Sequence, residues 1–235
     1  MKKSHIATLI VFLVLIPLTL ILGSRLSGRA FYVTSTLVIV ELLIPFFLAF
    51  EGRRPQAREL VVLAVMCALA VAGRVAIPIP NFKAIFGIIM VAGIAFGPES
   101  GFLVGAISAL ASNFFYSQGP YTPWQMMAYG AGGMLAGFVF AQGRLPRKPV
   151  TMGIFGFLAV TFFVGPLLDT CSVFLVMSRI TLKGAMAFYI SGFPVNLRQA
   201  VATAIVLLVL GKPLLEKLDR IKTKYGILDD GGKEA

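Results

Sequence analysis

Long apolar runs alternate with short polar connections along almost the whole chain of 235 residues. A helix needs about 20 apolar residues to cross the roughly 30 Å hydrocarbon core of a bilayer. Eight runs are candidates for such helices: 6–23, 31–50, 60–79, 84–96, 102–116, 126–141, 152–177 and 187–211. The pattern therefore predicts an all-α integral membrane protein.

The polar stretch 51–59 separates two N-terminal runs from the six that follow. We accordingly expect three parts: two transmembrane helices with a cytoplasmic linker at 1–58, a six-helix membrane domain at 59–211, and a basic cytoplasmic tail at 212–235. The runs 84–96 and 102–116 are short, and two readings stay open, two full crossings or one re-entrant hairpin.

Apolar residues recur at helical spacing in the tail, at Leu214, Leu215, Leu218, Ile221 and Tyr225. Such a segment either lies on the inner leaflet through its apolar side or frays into solvent. The sequence leaves both alternatives open.

Composition and charge agree with a membrane location. The chain is 58% hydrophobic and only 13% charged, far below the charged share of about a quarter in soluble domains. The net charge of +11 does not indicate nucleic-acid binding, because the Lys and Arg residues fall between apolar runs rather than along one face. Most of them lie in segments that become cytoplasmic if both termini are inside, which the positive-inside rule favours.

Several kinds of chemistry lack the residues that they require. The only histidine is His5, and the two cysteines, Cys67 and Cys171, are expected at different depths, so we predict no metal site, triad, disulfide or cofactor. The glycine-rich stretch 130–137 has no following Lys-Ser or Lys-Thr pair, so it is not a phosphate-binding loop. We expect no ATP hydrolysis by this chain and no enzyme activity.

Polar and aromatic residues gather at the predicted outer ends of the spans, in the proline-rich loops 77–83 and 116–125 and in the last span. Amides and flat rings with polar tips suit a small-molecule site, although an interfacial aromatic belt would look similar. The candidate binding residues are Asn81, Phe82, Lys83, Asn113, Tyr116, Gln118, Tyr121, Trp124, Gln125, Tyr189, Asn196 and Arg198.

Four ionisable residues fall inside the predicted spans: Glu41, Arg74, Asp169 and Arg198. Charge at bilayer depth is costly, so these side chains should face the bundle or a wet cavity. Asp169 and Arg198 are expected at similar depths and are the natural ion pair, with a ligand contact by Arg198 as the alternative. For Glu41 we expect at most a pairing with Arg74.

Small residues recur every fourth position at Ala64, Ala68 and Ala72, and again at Gly133 and Gly137. Small residues let helix backbones approach closely in lipid. Both sets suit either packing inside the bundle or docking against a partner subunit.

The order of several motifs resembles the substrate-specific subunit, or S component, of energy-coupling factor (ECF) vitamin transporters. The resemblance covers about 59–211 and rests on the three spaced alanines, Ile-Pro-Ile-Pro at 77–80, Phe-Gly-Pro-Glu-Ser-Gly at 96–101, Gly-Ala-Ile-Ser at 105–108 and Gly-Pro-Tyr-Thr-Pro-Trp-Gln at 119–125.

The resemblance implies a six-helix subunit in the plasma membrane of a prokaryote that binds a vitamin from the outer side under three loops, here 79–83, 116–125 and 178–186. It further implies that Ala64, Ala68 and Ala72 dock against a transmembrane coupling subunit, and that two ATPase subunits supply energy. The two N-terminal helices depart from the six-helix pattern.

The resemblance also bears on the substrate. The loop 119–125 is similar to that of S components assigned to cobalamin, which is the first expectation for the vitamin. The predicted outer loops contain no acidic residue, which favours an anionic vitamin instead. Two rival classes are an intramembrane enzyme that uses Asp169 and Glu41, and a structural scaffold. The first lacks a nucleophile or metal ligand, and the second does not explain the rigid polar outer loops.

Overall fold

The computed structural model describes residues 56–141, 143–177 and 180–226, together with 14, 15, 18, 19, 33, 34, 36–41, 43, 44 and 47. Its helices after the N-terminal part are α1 Ala57–Val75, α2 Ile85–Phe96, α3 Pro98–Tyr116, α4 Thr122–Ala136, α5 Pro149–Ala159, α6 Gly165–Val176, α7 Leu182–Val206 and α8 Lys212–Tyr225. Short π-helical turns extend α4 and join α5 to α6 and α7 to α8: Gly137–Ala141, Val160–Val164 and Leu207–Gly211.

The joined helices make six helical rods, as the sequence predicts for the block after residue 58. The rods Pro149–Val176 and Leu182–Tyr225 are long and apolar enough to cross a membrane, and Ile85–Phe96 is a shorter apolar helix. The predicted spans 6–23 and 31–50 lie for the most part outside the described residues.

Three helices begin about one turn before the predicted starts at 102, 126 and 152. Each carries a proline in its first turn, in α3, α4 and α5. Proline suits this place because the N–H that it lacks would have no partner within the helix. Polar residues in the same turn, such as Glu99 and Gln125, lower the local hydropathy. For this reason the apolar runs alone predicted later helix starts.

The short helix α2 is buried along its whole length of 12 residues, about 18 Å. Its turn into α3, at Gly97 with φ 92°, lies beside the first turn of α1, where Ser100 Oγ donates a 3.5 Å hydrogen bond to Glu59 Oε1. Because Ala84 before α2 contacts Gly73 near the other end of α1, α2 and α3 each traverse the bundle. This arrangement favours two crossings over a re-entrant hairpin, although α2 alone is shorter than the hydrocarbon core.

Glycines bring α2, α3 and α4 into backbone contact. A Cβ atom on Gly133 would collide with the carbonyl of Gly101, and one on Gly137 would lie 2.6 Å from Pro98 Cα. Gly133 and Gly137 thus serve close packing inside the bundle, the first of the two interpretations of this motif.

The tail is helical through Tyr225 and packs on the bundle. Leu215 and Leu218 are buried in the main core, and Lys222 Nζ donates a 2.7 Å hydrogen bond to the carbonyl of Ala95 at the end of α2. Arg147 in the α4–α5 connection lies 3.7 Å from Asp219. Up to Tyr225 the tail is therefore neither frayed nor turned with its apolar side toward lipid.

Two described residues of the N-terminal part, Ile39 and Leu43, pack against side chains of α3, α4 and α6. Ile39 packs with Trp124 and Cys171, and Leu43 packs with Phe102. Glu41 Oε1 accepts a 2.6 Å hydrogen bond from Thr19 Oγ1, so the expected pairing of Glu41 with Arg74 is wrong.

Candidate functional site

Two adjoining cavities open between the loop after α1, the α3–α4 connection and α7. Their volumes are about 490 and 210 Å³, and they share Arg74, Asn81, Tyr129 and Gln199 in their walls. Lys83 and Tyr116 line the larger one, and Gln125 and Asn196 line the smaller one. We call the two together the outer cavities, after the side of the membrane on which the sequence predicts this end of the bundle.

Arg74 projects from the last turn of α1 toward α3. Its Nη1 donates hydrogen bonds to Ser112 Oγ and, over 2.9 Å, to Asn113 Oδ1. The guanidinium also lies 4.8 Å from the ring centroid of Tyr116 and 5.7 Å from that of Tyr129. Sequence analysis placed Arg74 at bilayer depth and expected it to face the bundle or a cavity, but did not assign it to the site.

Asn113 joins the helix α3 to the start of α4. Its Nδ2 donates to Gln125 Oε1 over 2.8 Å and to Thr122 Oγ1 over 3.2 Å. Thr122 in turn donates to Gln118 Oε1 over 2.9 Å, and Gln118 Nε2 donates to the carbonyl of Leu110. Asn113 and Gln118 therefore hold the α3–α4 connection in place, and Gln125 reaches the cavity.

The loop after α1 is fixed at both ends. Lys83 Nζ donates to the carbonyl of Ile77 across the loop, and Gln199 Nε2 of α7 donates a 2.7 Å hydrogen bond to the carbonyl of Lys83. Asn81 adopts φ 58°, a left-handed conformation that asparagine tolerates better than most residues. The amide and ammonium groups at 81 and 83 consequently face the larger cavity.

Asp169 pairs with Asn196 rather than with Arg198. Asn196 Nδ2 donates a 2.7 Å hydrogen bond to Asp169 Oδ2 from a buried position that also lines the smaller cavity. Two residues along a helix correspond to a rotation of about 200°, so Arg198 emerges on the opposite side of α7, where it is exposed. The predicted Asp169–Arg198 ion pair is wrong, and Arg198 lies outside both cavities.

Trp124 packs against α6 instead of facing the cavities. Its ring stacks on Phe174 with centroids 5.6 Å apart, within a cluster that includes Ile39 and Cys171. Tyr121 packs at the edge of the same cluster and donates from its hydroxyl to the carbonyl of Ser117.

The predicted binding residues thus divide into three groups. Those that line the outer cavities are Asn81, Lys83, Tyr116, Gln125 and Asn196. Asn113 and Gln118 support them through hydrogen bonds. The remaining ones lie elsewhere: Phe82, Tyr121, Trp124, Tyr189 and Arg198.

Three polar cavity residues were not predicted as binding residues, namely Arg74, Tyr129 and Gln199. Each is a polar side chain within an apolar run. Such a residue is expected to face the protein interior or a cavity, and this is how the sequence could have indicated a role in the site. Tyr129 is buried and lies with its ring 4.5 Å from that of Phe86.

The walls of the outer cavities carry two cations and no Asp or Glu among the described residues. The same part of the chain holds no group of three or more His, Cys, Asp or Glu side chains able to bind a metal. The site is therefore suited to hydrogen bonding, stacking and charge attraction.

A second feature lies on the outward side of α1. Ala64, Ala68 and Ala72 are all exposed. Ala68 and Ala72 border an apolar groove of about 490 Å³ that continues onto α3 at Ala111 and Phe115. These alanines do not pack inside the bundle. In this they differ from Gly133 and Gly137, which are in close backbone contact there.

A sequence model of the family described as "ECF-type riboflavin transporter, S component" matches residues 55–216. The match begins just before α1 and ends within α8, so it covers five rods and most of the sixth and leaves the N-terminal part outside. No curated protein and no solved structure matches the chain significantly.

Proposed function

The chain belongs to the ECF-type riboflavin transporter S component family, and on that premise we propose that its outer cavities bind a flavin-type vitamin for import. Membership makes the chain the substrate-binding subunit of an ECF importer in a prokaryotic plasma membrane, and a transport subunit rather than an enzyme. The substrate and the binding residues are the proposed part.

The observation that carries the proposal is the concentration of amide side chains around the outer cavities. The side-chain amides of Asn81, Gln125, Asn196 and Gln199 line the cavities, and an amide can both donate and accept hydrogen bonds. Such groups complement the alternating carbonyl and N–H edge of an isoalloxazine ring and the hydroxyls of a ribityl chain. The larger cavity alone falls within the range of about 300–1,000 Å³ that is typical of small-molecule sites.

Aromatic rings give the same site flat surfaces. Tyr116 and Tyr129 both lie beside Arg74 in the wall of the larger cavity. Ring stacking on a flat ligand adds contact area at little cost in side-chain entropy. A flat heteroaromatic vitamin therefore suits both the polar and the apolar parts of the wall.

We do not extend the proposal to cobalamin. That expectation rested on the loop 119–125, whose Trp124 lies in a packed cluster outside the cavities. A corrinoid is also far bulkier than a flavin. The family match supports a vitamin of the riboflavin type instead.

We also propose that the coupling subunit docks on the exposed alanines of α1. Ala68 and Ala72 border an apolar groove, and small side chains let a partner helix approach closely within lipid. An ECF module with its own ATPase subunits is the partner that the family implies. The distribution of basic residues separately predicts that both termini lie on the cytoplasmic side.

The test is the titration of purified chain with riboflavin, followed by quenching of flavin fluorescence, together with mass spectrometry of any co-purified ligand. We expect saturable binding that Gln125→Ala weakens about tenfold or more by removing a cavity hydrogen bond. Tyr189→Phe is the matched control, since its hydroxyl contacts Thr170 outside the cavities. A different co-purified vitamin, with no flavin binding, would overturn the proposal.

A further inference from the structure

Arg74 and Lys83 place two positive charges in the wall of the larger outer cavity. We propose that they form a subsite for the phosphate group of a phosphorylated flavin, so that this chain binds flavin mononucleotide more tightly than riboflavin. This inference rests on the proposed function and specifies the substrate of the same site.

Among the described residues, the guanidinium of Arg74 contacts only neutral groups. Its two hydrogen bonds go to Ser112 and Asn113, and both come from Nη1. Within the described part of the chain, Nε and Nη2 therefore keep N–H groups that can donate to a ligand. The remaining contacts are with the rings of Tyr116 and Tyr129, which hold the guanidinium without neutralising it.

Lys83 faces the same space from the loop after α1. Its ammonium donates one hydrogen bond to the carbonyl of Ile77 and lies 5.9 Å from the ring centroid of Tyr116. That ring is also the one beside which Arg74 lies. An ammonium has three donors, so two remain for a bound anion. Both cations thus lie beside the ring of Tyr116 in the wall of the larger cavity.

No carboxylate of the described residues balances these charges. Asp169 is held by Asn196 and does not line either cavity, and Glu59 lies at the other end of α1. Cations away from bulk water are costly when they are unpaired. An anionic ligand would supply the missing charge, and charge-assisted hydrogen bonds from Arg and Lys to phosphate are stronger than neutral ones.

A purely structural role for the two cations makes a different prediction. If Arg74 and Lys83 only anchored the α3 helix and the loop, their replacement would lower stability and weaken every ligand equally. The proposal instead requires that replacement lowers the affinity for the phosphorylated ligand more than the affinity for the neutral one, so that the ratio of the two affinities falls.

The experiment compares two ligands that differ only in the phosphate. Purified full-length chain in nanodiscs is titrated by calorimetry with flavin mononucleotide and with riboflavin. We expect flavin mononucleotide to bind about 10- to 100-fold more tightly, as one or two charged hydrogen bonds would give. Arg74→Gln and Lys83→Gln should each reduce this ratio, while Lys217→Gln, an exposed cation of α8 outside the cavities, should not.

The outcomes separate this inference from the proposed function. Riboflavin that binds as tightly as flavin mononucleotide overturns the inference and leaves the flavin assignment standing. Binding of neither ligand overturns the flavin assignment and the inference with it. Displacement of flavin mononucleotide by inorganic phosphate at equal concentration would indicate a general anion site and would also overturn the inference. If Arg74→Gln does not fold, Lys83→Gln carries the test, and Arg74→Lys, which keeps the charge, should retain the preference for flavin mononucleotide.

Discussion

Gln199 Nε2 donates a 2.7 Å hydrogen bond to the backbone carbonyl of Lys83, which joins the middle of α7 to the loop after α1. Both residues line the larger outer cavity. The position of the loop, and with it the direction of the Lys83 and Asn81 side chains, therefore depends on a helix that is 116 residues away in sequence.

Removal of this hydrogen bond should loosen the loop over the site. For Gln199→Ala we expect faster dissociation of a bound flavin, with an affinity about tenfold weaker, because one net hydrogen bond and a ligand contact are lost. Stopped-flow fluorescence measures the dissociation rate. Ser191→Ala, an exposed position on the same helix, is the control, and an unchanged rate in Gln199→Ala would contradict the loop's dependence on α7.

Trp124 should matter for stability rather than for binding. Trp124→Ala opens a void beside Phe174 and Cys171, and losses of this kind cost about 3–5 kcal/mol. Thermal unfolding of the purified chain should shift strongly downward, while the folded fraction keeps its flavin affinity. Phe174→Ala should behave alike because it removes the other half of the stacked pair. Weaker binding at unchanged thermal stability would place Trp124 in the site after all.

The two polar residues of α7 should differ in their effects. Asn196→Leu leaves the Asp169 carboxyl without its partner and should destabilise the fold by about 1–3 kcal/mol. Adding Asp169→Leu should recover part of that loss, because both polar partners are then gone. Arg198→Gln should change stability by no more than about 0.5 kcal/mol, as expected for an exposed side chain. A larger loss in Arg198→Gln than in Asn196→Leu would contradict the observed pairing.

If the exposed alanines of α1 are a docking surface, a bulky substitution there should abolish transport without affecting flavin binding. Ala68→Trp should abolish ATP-driven uptake in cells that contain the complete transporter, because a bulky ring keeps a partner helix away from the groove. Flavin binding by the purified variant should survive. Ala187→Trp, on the exposed side of α7, is the control. If binding falls together with uptake in Ala68→Trp, the groove is not a docking surface.

Neighbouring glycines of α4 should tolerate alanine to different degrees. Gly133→Ala would drive a methyl group into the backbone of Gly101, which cannot move without shifting α3, so we expect a loss of about 1–3 kcal/mol. Gly132→Ala is the matched variant, because its nearest neighbour is a methyl group of Val164 at 2.9 Å, which can adjust. Thermal unfolding compares the two, and equal losses would argue against backbone contact as the cause.

The sequence by itself determined the class of protein and the order of its six rods. In lipid every backbone polar group has to be satisfied within its own helix, so a run of apolar residues of sufficient length is already a helix that spans the membrane. Spacing along a helix is likewise local, and it placed Ala64, Ala68 and Ala72 on one side of α1, where the structure leaves them exposed. The motif order pointed to the family that the match over 55–216 confirms.

Only the tertiary structure decided which polar residues meet. Hydropathy fixes roughly how deep a residue lies but not the direction in which it points, and for this reason Asp169 was matched with Arg198 when the side chain that faces it is Asn196. Helix rotation is set by long-range contacts such as the backbone approach of Gly101 and Gly133, which no local pattern encodes. The same packing turned Trp124 away from the cavities and brought Arg74 into their wall.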